Sequence, residues 1–472
     1  MPRAEIKMFQ SKAIEVAAFL RKHIEKKSRI RILSHLDTDG ISAASILIKC
    51  LHAHKVPFHA KFSRPLKTDE IMKLSQENYD LFVFVDQGSS QMAAIHKYML
   101  GRGHSVLVLD HHPGNFPEHE NLVYLNPHSC GLNGAKDVSA AGIVYSVVEL
   151  IDKSFRSLLT LAIVGAIGDR QDFLLGFTNI NEVLAKRAMD LGLIRATEGL
   201  KLIGREFTPL VESLRLSIRP FLPNISGDLE ACRSIVNALG VSSNGSLEEI
   251  GQEKERKLRE IIFSRVGGIA AKEEFCHSIW GTIYLQSGER PSGPRELREY
   301  STMLEACSKF NKPEIGLAAA VGDMHALNEA ITMLRNYQEK MVSVIRWLIE
   351  HMEYFKVTPY MRYIYAGDAV ETTMMGEALS LSIESGLVPR DLPVVGITQS
   401  SSNELKVSAR ATHELTLQGF DVGRALATVA SSCGGEGGGH DVSASAFIPS
   451  DRLQDLINGL ELAFREQVKR GT

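Results

Sequence analysis

Apolar and polar positions along the first 190 residues fall into short alternating blocks. The pattern predicts strands at 29–34, 57–62, 80–86, 105–110 and 122–126, with helices at 40–54, 67–77, 90–101 and 138–153. Ahead of them, Ile14, Val16, Ala17, Phe19, Leu20 and Ile24 recur at helical spacing, an amphipathic helix over 10–27. Such alternation predicts an α/β fold with a mostly parallel sheet covered by helices on both faces. From 195 to about 275 strand-like runs give way to charged helical stretches, broken at Pro220–Gly227. Segments 279–285 and 315–321 then read as strands, and 295–307 and 327–352 as helices. A smaller α/β pattern follows, with strands at 362–366, 392–397 and 404–410, a helix at 420–431 and a last strand through Phe447-Ile448. The expected organisation is an N-terminal domain over 1–190, a mainly helical insertion over 195–350 and a C-terminal α/β domain over 355–472.

Four apolar, strand-like runs end abruptly in acids and imidazoles. Val106–Leu109 closes on Asp110-His111-His112, and Arg31–Leu33 leads into Ser34-His35-Leu36-Asp37-Thr38-Asp39-Gly40. Leu81–Val85 ends at Asp86, and Leu161–Gly168 at Asp169. These side chains are costly to bury without partners. They make sense at a shared polar site beyond the carboxyl ends of the strands, where open α/β sheets hold ligands. Carboxylates with imidazoles suit Mn²⁺, and carboxylates alone suit Mg²⁺. In Asp37-x-Asp39 alternate residues project the same way, Asp86 arrives from a neighbouring strand to bridge two ions, and Asp169 closes the set. Two ions about 3.5–4 Å apart clamp a phosphoryl group and activate a water. Taken singly, Asp86 reads as a helix cap or turn former and each histidine as an ordinary core or surface group. Four segments together leave that reading little room.

Composition narrows the class without naming it. The chain has 472 residues, 44% of them hydrophobic and 23% charged, with a formal net charge of −3, which does not announce a nucleic-acid binder as a strongly basic chain would. Six cysteines are scattered with no C-x-x-C spacing, which reads as thiols in a reducing cytoplasm and not as a zinc site or disulfide frame. The polar, charged N-terminus shows no signal peptide, and the longest apolar run is far short of the roughly 20 residues that span a bilayer. A soluble, cytoplasmic protein with no membrane partner is expected.

In order, Ser34–Gly40, Asp86, Asp110-His111-His112 and Asp169 resemble the four motifs of the DHH phosphoesterase superfamily. Lys406-Val407-Ser408-Ala409-Arg410, followed by Gly434-Gly435-Glu436-Gly437-Gly438-Gly439-His440, resembles its partner, the DHH-associated domain. The extended glycine motif and the insertion make the chain most similar to archaeal RecJ-like nucleases, which include the GINS-associated nuclease. The resemblance implies a DHH catalytic domain at the N-terminus and a substrate-binding domain at the C-terminus. It implies metal ligation by Asp37, Asp39, Asp86, His111 and Asp169, with His35 as an additional ligand, and two Mn²⁺ ions for which Mg²⁺ can substitute. It further implies that His112 contacts the scissile phosphate or assists the leaving group, with Asp110 orienting a histidine.

The glycine loop, read from its residues, offers close backbone approach and successive N–H groups that could form an anion nest near Arg410. A flexible hinge is the plainer alternative for the loop alone, and with Arg410 ending a strand nearby a phosphate clamp is the better reading. The resemblance implies that Ser408, Arg410, Gly438, Gly439 and His440 hold the nucleotide end. One departure is that Ser443-Ala444-Ser445 stands where the family has a small-small-Gly ending. Asn126-Pro127-His128, with Gly131–Gly134 and Ser139-Ala140-Ala141-Gly142, is a second candidate that reads at least as well as a loop and a small-residue helix start. The implied function is metal-dependent exonuclease action on single-stranded DNA or RNA in replication or repair. The alternatives are a replisome scaffold that binds the GINS complex of the replicative helicase, and an oligonucleotide or dinucleotide phosphodiesterase.

Overall fold

The computed structural model describes residues 4–172, 176–242, 244–267, 273–288 and 293–471. They divide into two compact units, 1–203 with 280–335 and 204–279 with 336–472.

The first unit begins with α1 (Ala4–Glu25), whose Phe9, Ala13, Val16, Leu20 and Ile24 form a buried stripe. There follow β1 (Ile30–His35), α2 (Thr38–Ala53), β2 (Phe58–Ser63), α3 (Thr68–Leu74), β3 (Leu81–Val85), α4 (Met92–Tyr98), β4 (Val106–Leu109) and β5 (Leu122–Leu125). The strands form one sheet in the order β2-β1-β3-β4-β5 with every pairing parallel. β3 and β4 are buried along their whole length, as a parallel sheet covered on both faces requires. Leu33, Phe82, Phe84, Val106 and Val108 pack on one face with Ile71, Met92, Ile95 and Met99 of α3 and α4. The alternate residues Ile32, Val83, Val85, Leu107 and Leu109 are equally buried on the other. Next come α5 (Ala140–Ile151), α6 (Leu159–Gly168), α7 (Asn179–Asp190) and β6 (Ile194–Leu200). The chain then runs through α8 (Leu210–Arg215), α9 (Leu229–Ala238), α10 (Gly251–Val266) and α11 (Glu273–Ile279) of the second unit. It returns as β7 (Trp280–Gln286), antiparallel to β6, followed by α12 (Leu297–Lys309) and α13 (Pro313–Val321).

The chain passes into the second unit within α14 (Met324–Glu350). That unit adds β8 (Lys356–Val357), β9 (Arg362–Gly367), α15 (Met375–Glu384), β10 (Val394–Ser401), β11 (Glu404–Arg410), α16 (His413–Leu417), α17 (Val422–Ser432), β12 (Glu436–Gly439), β13 (Ser443–Pro449) and α18 (Leu453–Gly471). Its six-stranded sheet has the order β12-β13-β11-β10-β9-β8 and is antiparallel except for β9 beside β10. Val395, Ile397, Leu405, Val407, Ala446 and Ile448 share a core with Leu426 and Val429 of α17 and Leu456, Leu460 and Phe464 of α18.

The mixed α/β class and the parallel N-terminal sheet agree with the sequence, and several elements differ. Leu161–Gly168 is the body of α6, not a strand; nine of the ten residues of α6 are buried, so it carries no polar face to betray its period. Residues 315–321 are also helical, because Pro313 sits at the first helical position and Gly322 closes the helix at φ 110°. β6 lies in a stretch that shows no strand pattern, since half of its residues face solvent. No helix among the described residues is long and apolar enough to cross a membrane, and all six cysteines are free thiols.

Candidate metal centre

In the order β2-β1-β3 the chain leaves β1 toward one side of the sheet and returns on the other, which opens a crevice beyond the carboxyl ends of β1 and β3. The acids and histidines gather there. Asp37 caps α2, its Oδ1 accepting from Gly40 N at 3.0 Å. A Cβ at residue 40 would lie 2.2 Å from the His35 carbonyl oxygen, so glycine is what lets the helix start this close to the strand. Asp39 is fully buried and accepts from the first turn of α5, from Ala140 N at 2.6 Å and Ala141 N at 2.9 Å. The positive end of that helix holds its charge. Gly165 of α6 allows the approach from the other side, since a Cβ there would stand 2.3 Å from Asp39 Oδ1.

Asp86 follows β3 at φ 55°, a left-handed conformation that aspartate tolerates better than most residues. Its two oxygens face different neighbours. Oδ2 is 3.5 Å from His35 Nδ1, which is itself 2.8 Å from Asp37 Oδ2. Oδ1 is 3.2 Å from His111 Nε2, which also lies 3.2 Å from Asp169 Oδ2 and 4.0 Å from Asp39 Oδ2. Asp169 reaches the group from the end of α6. Three groups have their ligand atoms within 4.8 Å of one another: His35 with Asp37 and Asp86, Asp39 with His111 and Asp169, and Asp86 with Asp110, His111 and His112; the first two share no residue and form two separate ligand sets.

The residues fit a divalent cation on their own chemistry. His111 Nδ1 lies 2.8 Å from the Gly134 carbonyl, which can only accept, so Nδ1 carries a proton and Nε2 is the atom that, once deprotonated, has a lone pair for a cation among the three carboxylates. Asp86 Oδ1 and Asp169 Oδ2 are buried and, among the described residues, have no hydrogen-bond donor other than His111 Nε2 at 3.2 Å. Left to themselves these groups hold protons. Burial and the Asp86 charge push Asp39 up to about 7, and burial and Asp39 push Asp169 well above the usual carboxylate range. Burial presses the His111 pKa down, yet the Asp169 and Asp86 carboxylates override it and raise it well above the ordinary value. A cation between these atoms would take the place of those protons.

Beside the two sets, Asp110 is fully buried and accepts from Ser89 N at 2.9 Å, from His112 N at 3.2 Å and from His112 Nδ1 at 2.7 Å. Burial raises its pKa, but the His112 hydrogen bond and charge outweigh this and hold the carboxyl well below its usual range. The His112 pKa is raised against burial, chiefly by the same hydrogen bond.

All eight residues singled out in the N-terminal domain therefore meet in one place. The structure adds supports around them, of which Gln171 and Asn181 lie outside the sequence candidates. Gly134 contributes only a carbonyl, which Gln171 Nε2 also engages at 2.9 Å while Gln171 Oε1 accepts from Asn181. Asn126 Nδ2 donates to the His112 carbonyl at 2.9 Å and to Ser89 Oγ at 3.1 Å, so this loop braces the histidines. Exposed Arg64 follows Ser63, the register partner of His35, and makes no ion pair among the described residues.

In the second unit, Gly438, Ser445, Ser408 and Gly396 lie in one row across β12, β13, β11 and β10. Ser408 is buried, and Arg410 turns back beside it: a Cβ at Gly376 would be 2.5 Å from Arg410 Nη2 and 3.4 Å from Ser408 Oγ. The Arg410 guanidinium donates to Ser380 Oγ at 2.9 Å and to the Ala409 and Ala444 carbonyls, with no ion pair among the described residues, and burial lowers its pKa against the nearby Glu377 charge. The glycine motif corrects the nest reading. Glu436–Gly439 is the edge strand β12, paired with β13, so its amides alternate in direction and do not converge on one anion. Exposed His440 follows it, its N–H donating to Ser443 O at 2.8 Å. Of the arginines between the motifs, Arg205 is buried against Glu255, Arg215 is bound to Glu212 and Arg219 to Glu377.

Residues 29–166 match the DHH family N-terminal domain, and residues 361–466 match the DHHA1 domain. An uncharacterised protein of Methanocaldococcus jannaschii is 25% identical over 464 residues, 96% of this chain and 97% of its own. The fold is similar to that of RecJ from Thermus thermophilus in complex with Mn²⁺, at TM-score 0.58 and 16% identity over 96% of this chain. The match covers 55% of that RecJ, so this chain spans about half its length. It is also similar to CDC45 from Entamoeba histolytica, at TM-score 0.66 and 10% identity, covering 97% of this chain and 99% of that one.

Proposed function

We propose that this chain, a member of the DHH superfamily, is a two-metal phosphodiesterase that degrades single-stranded DNA or RNA from one end. The observation that carries the reading is Asp86, whose oxygens face two separate ligand sets 3.5 and 3.2 Å away. His35, Asp37 and Asp86 would hold one ion, and Asp39, His111 and Asp169 the other, with Asp86 bridging. Imidazoles among the carboxylates favour Mn²⁺, with Mg²⁺ as a substitute. Such a pair supplies charge neutralisation at the phosphoryl group and an activated water. Asp110 fixes the proton on His112 Nδ1 and so aims Nε2, on the opposite edge of the ring, at the scissile phosphate or its leaving oxygen. In the second unit Ser408, Arg410, Gly438, Gly439 and His440 are assigned to the nucleotide end, where Arg410, hydrogen-bonded to neutral acceptors, has charge to offer a phosphate.

The test uses DNA and RNA oligonucleotides labelled at either end, with Mn²⁺, Mg²⁺ or chelator. Metal-dependent release of mononucleotides from one labelled end, lost in Asp37→Ala and Asp169→Ala, supports the reading. Full activity in those variants, or in chelator, refutes it. A second reading, a subunit that binds the GINS complex, draws support from the likeness in fold to CDC45. It requires capture of GINS by the full chain; retention of every acid and histidine of the set favours the catalytic reading.

A further inference from the structure

We infer that a cavity of about 450 Å³, one wall of which begins at Pro113, the residue after His112, is the seat for the base and sugar of the nucleotide adjoining the scissile phosphate. The inference rests on the phosphodiesterase reading and adds a subsite to it. The cavity is bounded on one side by Ser89, Ser90 and His96 and on the other by Pro113, Gly114 and Asn115. Both walls grow directly out of the metal centre. Ser89 lies three residues beyond Asp86 and donates its N–H to Asp110, while Pro113 is bonded to His112. The walls are also fixed to each other, because a Cβ at Gly114 would come 2.7 Å from Ser89 Cβ, so glycine sets the width at the inner end.

The lining decides what fits. It contains no lysine, arginine or carboxylate, so no permanent charge there favours a phosphate or a cation. It offers the Ser90 hydroxyl, the His96 imidazole and the Asn115 amide, together with the apolar surface of Met92, Ala93 and Pro113. A few polar groups on an apolar wall, in a volume within the roughly 300–1,000 Å³ of small-ligand sites, suit a neutral, flat, hydrogen-bonding body such as a nucleobase on its sugar. His96 and Asn115 are exposed and can change without disturbing the core.

The test pairs a change in the cavity with a change in the base. Wild-type protein and the double variant His96→Ala/Asn115→Ala are assayed with Mn²⁺ on two kinds of oligonucleotide. One kind is normal; the other carries an abasic residue at the first or second position from the attacked end. For the wild type, KM rises about tenfold when the base is removed from the position that enters the cavity, as for loss of one or two net hydrogen bonds. The double variant shows the same rise on the normal substrate, no further rise on the abasic one, and kcat within about twofold throughout. Ala93→Trp, which fills the cavity, should reproduce the KM effect with an unchanged melting temperature. Wild-type hydrolysis with base and cavity effects that simply add, or with no effect of either, overturns the subsite and leaves the phosphodiesterase standing. No hydrolysis of any substrate by the wild type overturns both.

Discussion

Gly165→Ala tests the centre through a residue that bears no chemistry. The new methyl carbon would stand 2.3 Å from Asp39 Oδ1 and 2.6 Å from Ala141 Cβ, both well inside van der Waals contact. Neither neighbour can yield freely, because Asp39 is held by the Ala140 and Ala141 amides at 2.6 and 2.9 Å and Ala141 belongs to α5 itself. Overpacking of this kind costs about 1–3 kcal/mol. Weakening one hydrogen bond to a buried charge adds roughly 1.5–3 kcal/mol, within the margin of a folded domain. Asp39 must shift by about 1 Å, a displacement that can lower turnover by about 100-fold. The assay is kcat on an end-labelled oligonucleotide with saturating Mn²⁺, beside a thermal melt. Gly459→Ala, whose Cβ would meet the Val429 side chain at 2.7 Å in the second unit, is the control. It should lose stability to a similar degree and keep kcat. Gly165→Ala with wild-type turnover, or the two variants losing activity in step, would refute the placement of Asp39 at the reacting centre.

Four further outcomes follow. Asp110→Asn should leave Mn²⁺ binding intact and lower kcat by about 10²–10⁴, because an amide cannot fix the His112 tautomer at both contacts; a leaving group of bridging sulfur, which needs no proton, should recover much of the loss. Mn²⁺ affinity by titration calorimetry should rise with pH through about 7, since Asp39, pushed up to about 7, and Asp169 must ionise and His111 must lose a proton before they ligate. The raised acids and histidine stabilise the metal-free fold below their unfolded pKa values and lose that contribution as pH climbs past the folded ones, so between pH ~6 and ~8 the metal-free melting temperature falls while the Mn²⁺-bound one holds. Arg410→Ala should raise KM for oligonucleotides about tenfold or more with little change in kcat, and an unchanged KM removes it from the substrate site.

How much of this was legible depends on where each residue's role resides. His35, Asp37, Asp39, Asp86 and Asp110–His112 stand at or just beyond the ends of apolar strands, so acids and imidazoles closing a continuous apolar run marked them. Asp169 was marked too, although its carrier α6 is a helix whose buried faces hide the 3.6 period. The Gly134 carbonyl left no trace, because any residue type has one. Gln171 and Asn181 act on the centre through a chain of hydrogen bonds that exists only once α6 and α7 are folded. Asn126 was noticed but could not be separated from an ordinary turn residue. The glycine motif was visible as glycine, yet its pairing with β13 depends on register, which composition does not encode.

The most direct test of the two-ion centre is an anomalous difference map at the manganese edge from crystals grown with Mn²⁺. The account requires two peaks about 3.5–4 Å apart with the Asp86 carboxylate between them, one peak beside His35 and Asp37 and the other beside Asp39, His111 and Asp169. A single peak, or two peaks that Asp86 does not bridge, would contradict it.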